Sequence, residues 1–186
     1  GWDGGNMKDD AQILKAHVSA WERLCASSLE PNVFYEPWMF LPALEQFGAG
    51  IEFCFVLIYG KAVPGHPTPP ELRGFFPLHY EKKFRGVPIQ HLRLWQHKYC
   101  FLCTPLLNAA RAPECLSAFL DWLPTVSSSV AWMKFNWIRE EGPFEQLLMT
   151  LAAQRHLKMN TSDVFTRAAF RPATDVETYV KRAMSG

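Results

Sequence analysis

"LRGFFPLHYEKKFRGVPIQHLRLWQ", residues 72–96, holds two strand-length apolar runs joined by the short turn "FRG". The first run, 72–83, is rich in aromatic residues. The second, 87–96, sets Ile89, Leu92 and Leu94 against the polar Gln90, His91 and Arg93. Immediately upstream, "IEFCFVLIY" (51–59) is a third run of β-branched and aromatic residues. Such runs bounded by turn residues read as strands, here a three-stranded antiparallel meander. Proline cannot donate to a β-ladder, so Pro77 and Pro88 are expected at a strand end, an edge or a bulge. The prolines of "KAVPGHPTPPE" (61–71) exclude regular structure between the first two strands.

Helical spacing surrounds the meander. Ile13, Leu14, Val18, Trp21, Leu24 and Cys25 recur at three- and four-residue steps and predict one helix over 10–28. Pro37 suits the first turn of a second helix, 37–47, which Gly48 closes. Downstream the pattern alternates: a helix over 113–123, a strand over 130–138, a helix from Pro143 and a strand near 163–170. Thr174 and Glu177 form a capping-box pattern that starts a further helix. Residues 1–9 read as a flexible tail. The expected class is α/β (α+β): a mixed central sheet, with an antiparallel meander followed by a β-α-β-α-β half and helices on both faces.

The totals narrow the function. The chain has 186 residues, a hydrophobic fraction of 48% and a net charge of +1. That balance gives no reason to expect nucleic acid as a partner. No apolar run reaches the length of a transmembrane helix. The five cysteines, at 25, 54, 100, 103 and 115, sit mostly in apolar patterns, as free thiols do in a reducing cytosol. A cytoplasmic location is the expectation.

No Walker loop, GxSxG, GxGxxG or HExxH occurs. "WQHKYCFLCTP" (95–105) contains His97-x-x-Cys100-x-x-Cys103. Three readings stand: a buried strand-to-loop segment, a wall of an acceptor cleft, or zinc. Zinc needs about four ligands, and only His91 lies near enough to serve as the fourth. The interleaved Tyr99, Phe101 and Leu102 favour the buried segment, and no resident metal is expected. Lys82, Lys83 and Arg85 read as a solvated turn, and Glu140 and Glu141 as acidic residues that favour a helix start. His79 and His156 have no partner identifiable from sequence.

"EPNVFYEPWMFLPALEQFG", "LRGFFPL", "FRGVPIQHLRLWQHKYCFLCTPLL" and "AFLDWL" resemble the N-terminal half of the CelD-like, cellulose-biosynthesis-type branch of the GNAT acetyltransferases. That branch is similar to the Fem-type transferases, which carry two GNAT-like halves in tandem. The resemblance implies a GNAT-like domain over 10–172, with 173–186 leading into a second GNAT-like domain. It also implies acetyl-CoA or another acyl-CoA in the full-length protein, and an acceptor, small molecule or glycan, bearing an amine or hydroxyl. The "EPNVFYEPW" loop then helps to shape the acceptor pocket, and Tyr35, Glu36, Trp38, His97 and Tyr99 are the expected substrate-binding residues. No catalytic base can be assigned.

A GNAT fold holds the donor pyrophosphate on a glycine-rich loop at a helix N-terminus. The corresponding stretch here, "QHKYCFLCTPLLNAARA", has no glycine, and none occurs from Val87 to Glu141. This half is therefore expected to bind no acyl-CoA in the usual way. The alternative is a non-catalytic binding or scaffold module of a polysaccharide or envelope biosynthesis system.

Overall fold

The computed structural model describes residues 7–61, 70–126, 130–162 and 164. Its frame is the antiparallel pair β1 (Phe53–Tyr59) and β2 (Leu72–Glu81), in register from Phe53 opposite His79 to Ile58 opposite Gly74. Two short strands share the other edge of β2. β3 (His91–Leu94) pairs antiparallel with Leu78–Glu81, and β4 (Leu106–Leu107) pairs antiparallel with Gly74 and Phe75. β5 (Met133–Lys134) then adds to β3 in parallel. The described sheet thus has five strands of mixed polarity.

Successive side chains of a strand point to opposite faces. Phe75 and Phe76, both fully buried, therefore anchor two separate layers. Trp21 from α2 (Val18–Ala26) and Phe40 from α3 (Pro37–Phe47) meet the Phe75 ring at 4.4 and 5.4 Å. On the other face, Phe119 of α4 (Ala112–Trp122) stacks on Phe76 at 4.0 Å with the rings 4° from parallel. Phe135 links Phe119 to Phe144 of α5 (Pro143–Gln154). Helices lie on both faces of a mixed sheet, as the sequence pattern led us to expect.

Several local expectations change. The single helix over 10–28 is two, α1 (Met7–Lys15) and α2. The Ala16 and His17 amides bond back only three residues, and His17 Nδ1 is 2.6 Å from the Tyr59 hydroxyl at the end of β1. The break lets α2 lie on β2 while α1 packs against α3. Over 130–138 only Met133 and Lys134 form strand, and Trp137 turns the chain with φ +53°. β4 was concealed inside "CTPLLNAA", because two residues carry no readable alternation. Of the strand expected near 163–170 only Val164 is described, and it is not in a strand; the helix from Thr174 and the N-terminal residues 1–6 lie outside the described residues.

Pro77 is the instructive correction. It stands in the middle of the central strand, not at an end or edge. Its carbonyl accepts from the Trp95 amide at 2.8 Å, so the missing Pro77 N–H faces the Trp95 carbonyl, just beyond the end of β3. That carbonyl is taken by the Tyr35 hydroxyl at 2.7 Å. On the opposite edge of β2 the β1 register continues unbroken through Phe55 and Pro77.

A second buried polar contact fixes α5. Glu30, buried on the α2–α3 connection, accepts from the Phe144 amide at 2.9 Å through Oε2. A Cβ at Gly142 would come within 2.6 Å of Glu30 Oε1, so any larger residue there would have to push the capping carboxylate aside.

Removing the Tyr35 hydroxyl strands a buried carbonyl, which costs about 1–3 kcal/mol. Tyr35→Phe is expected to lower stability in urea denaturation by that amount, with the fold retained. Phe76→Ala empties the α4 face and is expected to cost about 3–5 kcal/mol in the same measurement.

Candidate functional site

The five residues expected at a site fall into three environments. Tyr35 is fully buried, with its ring edge-on to Phe40 and its hydroxyl committed to Trp95. Burial first, and then the neighbouring Cys103 and Cys100, hold its phenol well above the ordinary range. Tyr35 is therefore committed to the surrounding structure.

Glu36 and Trp38 form a pair at the start of α3. The Trp38 indole N–H donates to Glu36 Oε2 at 2.7 Å, while the indole is 62% exposed. Pro37, at the first helical position, sets this geometry. A hollow of about 310 Å³ opens beside them, lined by Glu22, Cys25, Ala26, Glu36, Pro37 and Trp38. Burial pushes the Cys25 thiol up to about 12, and the Glu36 and Glu22 carboxylates reinforce the shift. The hollow is thus acidic and has an indole at its rim. Such a combination suits a cation.

His97 and Tyr99 meet at the far end of α3. The His97 ring stacks on Phe47 at 4.9 Å, and Tyr99 approaches Phe47 edge-on at 5.7 Å. Lys98 Nζ lies over both the Phe47 and Tyr99 rings. Further along, Phe101 meets Phe34 at 6.2 Å. The 97–101 stretch therefore runs back along α3 and presents half-exposed Tyr99 and Phe101. Burial lowers the His97 imidazole, which favours its neutral form.

Cys100 and Cys103 are buried beneath this stretch, Sγ to Sγ 3.8 Å. The hydrogen bond shared with the Cys100 sulfur, followed by burial, drives the Cys103 thiol far above its ordinary value. A thiol so held is a poor nucleophile and a poor metal ligand. Among the described residues no three ligand-type side chains converge on one point. Glu140 and Glu141 are exposed, and the Glu141 amide donates to Glu145.

A polar cluster on the sheet was not recognised from sequence as a unit. His79, Arg93 and Lys134 are register partners across β2, β3 and β5. Arg93 donates to Glu81 at 3.4 Å and to Gln96 at 3.1 Å, and Asn136 Nδ2 donates to the same Gln96 oxygen at 3.3 Å. Glu81 also lies 3.0 Å from Nε2 of buried His91, whose ring stacks on Trp132. The polar members of "VPIQHLRLWQ" were visible, but the register that aligns them with His79 and Lys134 was not.

The junction between β4 and α4 is closed. The Asn108 amide donates to Arg73 O, Ala109 to Ser27 O, Ala110 to Asn108 Oδ1 and Arg111 to Asn108 O. Four consecutive backbone N–H groups are thus consumed internally, and Pro113 supplies none.

Neither a protein-family model, nor a curated protein, nor a solved structure matches this chain.

Burial, and after it the Arg93 guanidinium, pulls His79 down to about 4 from its usual 6.5. The folded protein resists a proton that the unfolded chain accepts, so this contribution is intact above pH 6.5 and is lost progressively toward pH 4. The urea midpoint is expected to fall between pH 7 and pH 5, and His79→Gln to flatten that decline. An identical pH dependence in wild type and variant would contradict this assignment.

Proposed function

We propose that this chain is the acceptor-side, non-donor-binding half of a tandem GNAT-like N-acyltransferase. The observation that carries the reading is the closed β4–α4 junction. Where a GNAT donor site needs free N–H groups and glycine, Asn108 to Arg111 spend theirs on Arg73, Ser27 and Asn108. A pyrophosphate there would have to displace those bonds. A second GNAT-like domain of the same protein would supply the acyl-CoA site.

The acceptor contribution falls to the hollow beside α3. Its carboxylates, Glu22 and Glu36, and the Trp38 indole would hold a protonated amine through charge and the face of the ring. Its acidity distinguishes it from the 97–101 stretch, where Lys98 places positive charge. In a tandem enzyme the neutral amine that attacks the thioester would form only after a base removes its proton.

The exposed aromatic stretch favours a second reading. Tyr99 and Phe101, with Lys98 over the Phe47 and Tyr99 rings, suit stacking against sugar rings. In that case the chain is a non-catalytic binding module of a polysaccharide or envelope biosynthesis system.

Calorimetric titration with acetyl-CoA is expected to give no saturable heat, and micromolar binding would overturn the non-donor assignment. In a protein that carries both halves, Glu36→Gln combined with Trp38→Ala is expected to raise KM for an amine acceptor about tenfold, a loss of about 1.4 kcal/mol. If acceptor kinetics stay unchanged while Tyr99→Ala abolishes glycan binding, the binding-module reading replaces the first.

A further inference from the structure

The geometry points to an oxyanion-binding site on the sheet face, formed by Arg93, Lys134 and His79 and taking a phosphate or phosphate monoester. This site stands apart from the acyl-transfer reading and needs none of it.

Register is the first observation. Arg93 is the ladder partner of His79 on β2 and of Lys134 on β5, so the three side chains form one row on one face. Directly opposed like charges destabilise a sheet. The pair Arg93 and Lys134 is such an opposition, and an anion over both removes it. One carboxylate of the described residues reaches the row: Glu81, 3.4 Å from Arg93 Nη1 and shared with His91 at 3.0 Å. No ion pair of Lys134 exists among the described residues.

Hydrogen-bond accounting is the second. Arg93 Nε, His79 Nδ1 and Asn136 Oδ1 are buried atoms without a hydrogen-bond partner. Asn136 is only 5% exposed, and Gln96 ties it to Arg93 through one shared oxygen. A buried polar group without a partner costs about 1–3 kcal/mol; Arg93 and His79 face each other across one rung of the ladder, and Asn136 is joined to Arg93 through Gln96.

The identity of the unpaired atoms selects the guest. Arg93 Nε–H and the Lys134 ammonium are donors and ask for an oxyanion. Asn136 Oδ1 is an acceptor and asks for an O–H. Hydrogen phosphate and singly protonated phosphate monoesters carry both, whereas sulfate carries only the first. The neutral imidazole of His79 can donate or accept and suits either oxygen. The Arg93 side chain is 20% exposed and Lys134 is partly exposed, so an anion would approach from their side of the row.

The test is thermal unfolding of this chain in inorganic phosphate, sulfate and chloride at equal ionic strength. It is run together with the NMR shift of the Arg93 Nε–H. Phosphate is expected to raise Tm saturably and to move that resonance, with sulfate weaker and chloride inert. Lys134→Gln, a partly exposed change, is expected to weaken phosphate about tenfold, equivalent to about 1.4 kcal/mol. Arg93→Gln is expected to abolish the effect. Since that variant removes buried contacts and risks unfolding, Lys134→Gln decides. An equal Tm rise in wild type and Lys134→Gln, or an unmoved Arg93 resonance in phosphate, overturns the site. Neither outcome bears on acyl-CoA or amine binding, so failure here is separable from failure of the transferase reading.

Discussion

The carbonyl of Trp95 is the point on which much of this structure turns. Pro77 occupies the central strand and has no N–H to offer it, so β3 cannot extend past this position. A buried carbonyl needs a donor, and the Tyr35 hydroxyl supplies one. That bond ties the 3-10 turn before α3 to the chain leaving β3. The Trp21 indole, donating to the Tyr35 carbonyl at 2.8 Å, then ties α2 to the same turn. Three elements are located by one strand's missing donor.

The same gap divides the edge of β2 between two strands. β3 uses the end that contains Leu78 and β4 the end that contains Gly74, with the 95–105 segment looping out between them. Aromatic packing then works outward from the two faces of β2. Phe75 gathers Trp21 and Phe40, while Phe76 stacks on Phe119. Because β4 is stitched to β2 and to the end of α2, the turn that leads into α4 is drawn into the body of the protein and the amides of residues 108–111 find internal partners. A closed helix entrance is thus a consequence of strand pairing and not of the local sequence alone.

The Phe75 face changes character along its length. Under α2 and α3 it is aromatic. Toward His79, Arg93 and Lys134 it becomes polar, and burial there is costly unless every group is paired. Glu81, Gln96 and Asn136 satisfy part of that demand. The acidic hollow beside Trp38 lies at the start of α3, and the Lys98 aromatic stretch at its other end, so the protein presents surfaces of different charge around one helix.

Sequence by itself determined the strand runs of the meander, the start of α3 at Pro37, the apolar faces of α4 and α5 and the absence of glycine before α4. These follow from local chemistry: side-chain periodicity, the fixed φ of proline and the backbone freedom of glycine. It also marked Tyr35, Glu36, Trp38, His97 and Tyr99 as residues to watch. Tertiary structure decided what Tyr35 does, because a phenol in a loop carries no sign that a carbonyl 60 residues away lacks a donor. It decided the split of the first helix, through the contact of His17 with Tyr59. It also decided the row of His79, Arg93 and Lys134, since strand register is set by pairing between distant segments and one residue of slip would turn each side chain to the other face.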